Sequence, residues 1–127
     1  RNKRKTKMGE ECVFCKIVKG EIPVEKIYES ENFLCFPDAN PKVEGHCLIV
    51  SKKHFVNIMD LPDTLGSELA EVIKKVAEIK LRGGGEGFNL VMNNFPAAGQ
   101  QVMHAHLHIL PRKEKDGLHL KLGEKEV

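Results

Sequence analysis

The chain has 127 residues, 41% of them hydrophobic and 30% charged, with a formal net charge of +2. That length suits one domain with its own core, the composition excludes a disordered chain, and a charge so near zero excludes a fold-wide attraction for nucleic acid. No run approaches the length of a membrane span and no apolar leader is evident, so neither a membrane nor a nucleic-acid partner is expected, and the cytoplasm is the expected compartment.

Residues 1–7 carry five basic side chains and nothing apolar. Residues 1–10 therefore read as a disordered basic arm, serving as an address, a nucleic-acid contact or a non-native extension, with Met8 a candidate natural start. Cys12 and Cys15 form a C-x-x-C at the start of an apolar segment, residues 12–18, that predicts a helical turn or two before Gly20 and Pro23. Cys35 and Cys47 lie in apolar runs and read as small core residues; without a secretory leader, four cysteines argue against a disulfide scaffold.

Residues 26–30 and 33–36 are β-prone runs split by Glu31-Asn32, a hairpin pattern, and Pro37-Asp38-Ala39-Asn40-Pro41 is an ordered turn. After Gly45, residues 46–51 read as a strand closed by Lys52-Lys53-His54. Asp63 or Thr64 is positioned to cap a helix running to about Leu81, with Leu65, Leu69, Val72, Ile73, Val76 and Ile79 on its apolar face. Gly83-Gly84-Gly85 ends that helix, and the absence of G-x-x-x-x-G-K-[ST] makes it a turn rather than a phosphate loop. A strand over 88–92, a polar loop over 93–99, a histidine-rich strand ended by Pro111, and a charged tail over 113–127 complete the chain. This order predicts an α+β fold: a mainly antiparallel five-stranded sheet, one long helix on one face and a short N-terminal helix.

Three of the six histidines stand in His104-Ala105-His106-Leu107-His108-Ile109-Leu110. Period-two alternation places the three imidazoles on one strand face and Ala105, Leu107 and Ile109 on the other. A lone strand histidine is ordinarily a half-buried polar residue; three in a row depress one another's charge and demand hydrogen-bond partners, which marks a site. Two chemistries fit: zinc with an open water position, or a neutral imidazole acting as nucleophile toward phosphorus while its neighbours handle protons.

The row resembles the signature of the histidine triad (HIT) nucleotide hydrolases and transferases. The resemblance extends over residues 11–112 through Phe14-Cys15-Lys16-Ile17, Gly20-Glu21-Ile22-Pro23, Phe36-Pro37-Asp38, Gly45-His46, Lys53-His54, Asn93, Gly99-Gln100 and Pro111-Arg112. It implies attack by His106 on the α-phosphorus of a purine nucleotide, such as a nucleoside phosphoramidate or dinucleoside polyphosphate, through a nucleotidyl-histidine that water resolves. It further implies His108 as the ring that orients phosphate oxygens and moves protons, with His46 supporting the row. Asp38 falls where the family grips ribose hydroxyls, although it also suits a turn. Asn93 and Gln100 match amides at the phosphate or leaving group, and Gln101 stands near the leaving group where many members carry serine or threonine. Phe14, Ile17, Phe36 and Leu48 match walls of the base pocket.

The same resemblance implies a structural zinc on Cys12, Cys15, His104 and a third-strand histidine, His54 in preference to His46, with no cofactor needed for chemistry. A redox role for the C-x-x-C lacks a βαβ context. A homodimer pairing sheet edges is the implied assembly. Two further readings stand beside this one: a zinc-dependent hydrolase using the strand histidines, and a non-catalytic nucleotide-binding module.

Overall fold

In the computed structural model, which describes residues 11–120, the sheet is five-stranded and wholly antiparallel in the order β1-β2-β3-β5-β4. Its elements are α1 (Val13–Val18), β1 (Tyr28–Glu29), β2 (Phe33–Pro37), β3 (Cys47–Ser51), α2 (Gly66–Arg82), β4 (Gly87–Val91) and β5 (His106–Arg112). The α+β expectation, with one long helix and a short one before the sheet, holds. Residues 1–10 and 121–127, including the basic arm and the end of the charged tail, lie outside the described residues.

Alternation along the three central strands divides the protein into two cores. Phe33, Cys35, Cys47, Ile49, Leu107 and Ile109 face α2 and pack with Leu69, Val72 and Val76. Leu34, Phe36, Leu48 and Val50 face the other way and pack with Phe14 and Ile17 of α1. The register pairs Leu48 with His108 and Val50 with His106, so these two histidines share the α1 side with the second core. Cys35 and Cys47 are fully buried, as expected of small core residues.

Several local expectations are corrected. The long helix is not capped by Asp63 or Thr64: both belong to a 3₁₀ turn, Asp63–Leu65, and α2 starts behind Leu65 without a side-chain cap. Near its start, Glu68 accepts hydrogen bonds from Ser30 Oγ, Asn32 N–H and Asn32 Nδ2, tying the helix to the first hairpin. Ile79 is 40% exposed, and Ala77 takes its place in the buried stripe. His104 precedes β5 rather than lying in it, and His46 precedes β3.

Finally, Pro111 does not end the last strand, which continues to Arg112 opposite Gly87. Ser51 N–H donates to Ala105 O, so odd-numbered residues of β5 turn their backbone groups toward β3, which stops at the Cys47–Ile109 pair. The N–H that Pro111 lacks would face no strand, and the ladder to β4 is kept. The first part of the expected tail is an ordered turn, pinned where Arg112 reaches Asp116 through Nε (2.7 Å) and Nη2 (2.9 Å).

Candidate functional site: two histidine clusters at one strand

The C-x-x-C starts α1. Cys12 is the N-cap residue, and its Sγ accepts the Cys15 N–H at 3.3 Å. This turn brings both thiols against two imidazoles from distant parts of the chain: Cys12 Sγ lies 3.2 Å from His104 Nδ1, and Cys15 Sγ lies 3.2 Å from His54 Nδ1 and 3.6 Å from His104 Nδ1. His104 is fully buried, and its Nε2–H donates to Ser51 O at 2.7 Å, so its Nδ1 holds a lone pair directed at the sulfurs. Burial pushes His104 down to about 4 and the Cys15 thiol up to about 11, the latter helped by Cys12.

The four donors lie mutually within 4.8 Å, and the set fits a zinc ion by chemistry as well as position: two thiols, two imidazole nitrogens, and a backbone carbonyl fixing the tautomer of one of them. Loading must release the thiol protons. His54, and not His46, belongs to this group.

Two residues along the chain, the imidazole of His106 is held the opposite way round. Its Nδ1–H donates to His104 O at 2.7 Å, which leaves Nε2 with a lone pair and no partner among the described residues. The Phe14 ring meets it edge-on with centroids 5.1 Å apart, and meets His104 at 5.7 Å, so one α1 side chain braces both clusters.

His46 and His108 complete the second cluster. Lys42 N–H donates to His46 Nδ1 at 3.0 Å, which forces the His46 proton onto Nε2. That N–H points at His108 Nδ1, 3.0 Å away, with Asp38 Oδ2 at 3.3 Å. His108 Nδ1 is thereby an acceptor, and the His108 proton sits on its other nitrogen, Nε2. Burial lowers His46; burial, reinforced by His106 and His46, lowers His108 to about 4, so both rings are neutral at pH 7.

Asp38 does double duty, since its Oδ1 accepts the Asn40 N–H and closes the turn. Asp38, His46 and His108 are close enough to surround a cation, but the His46 nitrogen that faces the group carries the proton set by Lys42. The three strand histidines themselves do not converge: His104 joins the thiols, and His108 joins Asp38 and His46.

The remaining sequence candidates separate by burial. Phe14, Ile17, Phe36 and Leu48 form one buried group with Leu34 and Val50. Gln100 is buried and spends its amide on backbone around it: Nε2 donates to Val56 O at 2.6 Å and Val102 O at 3.0 Å, and Oε1 accepts the N–H of Phe95 in the loop before it at 2.7 Å. That bond holds Phe95 at φ 75°, a conformation costly for a residue with a side chain. Asn93 lies two residues past the Val91–His108 pair, its amide beside Gly99, and Gln101 is exposed. Sequence reasoning missed Lys42 and Ser51; each acts through a backbone group, which no residue type announces.

Comparison with known proteins places the chain in a family. The HIT domain model matches residues 19–115. A HIT-like protein of Methanocaldococcus jannaschii is 45% identical over 113 residues, covering 89% of this chain and 88% of the relative. An adenosine 5'-monophosphoramidase of Candida albicans is 39% identical over 109 residues, covering 82% of this chain and 72% of the relative. A crystal structure of a zinc-bound histidine triad family protein from Mycobacterium smegmatis superposes with a TM-score of 0.80 at 39% identity, covering 87% of this chain and 80% of that one.

Proposed function

The chain belongs to the HIT domain family of nucleotide hydrolases, and on that premise we propose that it hydrolyses purine nucleotides at the α-phosphorus, as a nucleoside phosphoramidase or dinucleoside polyphosphate hydrolase. The observation that carries the reading is the His106 Nδ1–H···O contact to His104, because it leaves Nε2 unprotonated at the end of a strand whose other rings are neutral. His106 is the nucleophile. Its Nε2 bonds to phosphorus as the bond to the leaving group breaks, giving a nucleotidyl-histidine, and water then cleaves the P–N bond to release the nucleoside monophosphate. His108 directs Nε2–H at a phosphate oxygen or the departing group, and His46 holds it in that tautomer.

Asp38 binds ribose hydroxyls with the carboxylate that touches His46. Phe14, Ile17, Phe36 and Leu48 wall the base. Asn93 and Gln101 flank the phosphate and leaving group, and Gln100 acts there by shaping their loop. Cys12, Cys15, His54 and His104 hold a structural zinc, which would staple α1 to the sheet; the residues of the second cluster need no cofactor for the chemistry.

The working domain is residues 11–112, and the assembly is a homodimer, supported by Phe88 and Leu90, 38% and 44% exposed on the edge strand β4. No two of the four cysteines are joined in a disulfide, which suits the reducing cytoplasm, and no described helix is long and apolar enough to cross a membrane.

The test is intact-mass spectrometry of protein quenched in mild base after mixing with an adenosine phosphoramidate. An adenylyl adduct in the wild type that is absent in His106→Ala, with AMP released, is the expected result. Neither adduct nor turnover on that substrate or a dinucleoside polyphosphate would leave a nucleotide-binding module, and turnover that a chelator stops at once without unfolding the protein would favour metal chemistry.

A further inference from the structure

On the other side of the turn that fixes His46 lies a cavity of about 510 Å³, lined among others by Lys42, Lys80, Lys113, Val43, Glu44 and Asp116. Its volume falls in the range of small-molecule sites. Three lysines line it from three elements: the turn before β3, the last coil of α2 and the turn after β5. Lys80 Nζ lies over the turn, 3.8 Å from where a Cβ on Gly45 would stand, and Lys113 Nζ lies 3.9 Å from the same point on Gly84.

No ion pair within the described residues neutralises any of the three lysines. Of the two carboxylates at the wall, Asp116 is already held by Arg112 through two hydrogen bonds, and Glu44 is unpaired. Gathering three like charges around one hollow is unfavourable without a counter-charge inside it. The backbone offers little competition: the N–H groups of Gly83, Gly84 and Gly85 are spent on the carbonyls of Ile79, Leu81 and Lys80.

We propose that this cavity is a binding site for a multiply charged phosphate ligand, a polyphosphate or phosphate ester, separate from the histidine cluster. Ammonium groups act as compact point charges that suit phosphate oxygens without a fixed fork geometry, and three of them around one space favour several phosphate charges over one. The site also borders the histidine cluster: Lys42 lines the cavity and, through its own N–H, sets the tautomer of His46, while His46 N–H donates to Val43 O at 3.1 Å. A ligand gripped by Lys42 therefore restrains the segment on which the His46–His108 contact depends.

Inorganic tripolyphosphate is the probe, titrated by calorimetry into wild-type protein, Lys80→Met/Lys113→Gln, Lys113→Gln alone and His106→Asn, all at equal metal content so that chelation cancels. The single exposed Lys113→Gln change guards against a folding defect in the double variant, and melting curves with and without probe check the same ranking. The expected result is binding at least tenfold weaker in the double variant, intermediate in Lys113→Gln, and within twofold of wild type in His106→Asn. Binding undiminished in the double variant, binding abolished by His106→Asn, or neither heat nor a rise in melting temperature at millimolar probe would overturn the proposal.

Discussion

His104 and His106 lie two residues apart, and each gives one ring N–H to a backbone carbonyl at 2.7 Å, yet their remaining lone pairs meet different surroundings. His104 donates from Nε2 to Ser51 O, which turns its Nδ1 lone pair inward onto two thiols, and it is fully buried. His106 donates from Nδ1 to the carbonyl of His104, which leaves Nε2 without a partner among the described residues, and the residue stays 8% exposed. Which ring nitrogen keeps its lone pair, and so whether the ring suits the proposed metal site or the proposed nucleophile, is decided by which carbonyl accepts the proton, and the residue type says nothing about it. One chain segment does both because the strand begins only at His106: His104 lies before the ladder, where its ring can swing toward α1.

The sharpest way to break this division is reciprocal substitution. His106→Ala should lower turnover by about 10⁴-fold or more while the melting temperature barely moves, since it removes the group proposed to attack phosphorus. His104→Ala should do the reverse: about 3 kcal/mol of stability lost, because two thiols and Ser51 O lose their buried partner, with turnover largely kept in the molecules that remain folded. Loss of kcat in folded His104→Ala protein, or its retention in His106→Ala, would erase the distinction. Metal removal comes next in size. An ion held at 1,000 times its dissociation constant contributes about 4 kcal/mol. A chelator should therefore lower wild-type stability by roughly that amount and leave Cys15→Ser, already depleted, nearly unmoved in a thermal melt.

How far the sequence alone reached follows from the same contrast. Alternation in residues 104–110 placed Leu107 and Ile109 in the core and His106 and His108 opposite, and the spacing of apolar residues located α2. The Cys12, Cys15, His54 and His104 grouping was legible only by resemblance, since ligands 92 positions apart have no local period. What escaped was decided by backbone. Pro111 stays in its strand because the neighbouring strand has ended, and His46 takes its tautomer from the Lys42 N–H, which any residue but proline would supply.

Within the second cluster, the Lys42–His46–His108 series can be tested by its middle member. His46→Leu removes the donor to His108 and should cost about 10²-fold in kcat with little change in KM, as expected when a proton-handling ring loses its tautomer but the nucleotide still binds. His46→Gln, whose amide can accept from Lys42 and donate toward His108, should recover part of that loss. Equal damage from both variants would mean that His46 acts by packing alone.

The smallest effect should appear only in acid. Burial, then His106 and His46, lower the His108 imidazole from 6.5 to about 4. Between these values the unfolded ring binds a proton that the folded one refuses, so stability falls as pH drops through this window and does not depend on this group above it. The loss assigned to His108 is about 1 kcal/mol at pH 6 and grows toward pH 4; His46, lowered by the same burial, adds in the same direction. Denaturant titrations of the metal-loaded protein at a series of pH values measure this slope. His108→Gln keeps an acceptor for the His46 N–H but cannot titrate, so it should flatten the slope by one proton's share. An unchanged slope would show that the folded His108 takes up its proton as readily as the unfolded one, so that burial and the neighbouring rings do not hold it neutral below pH 6.5.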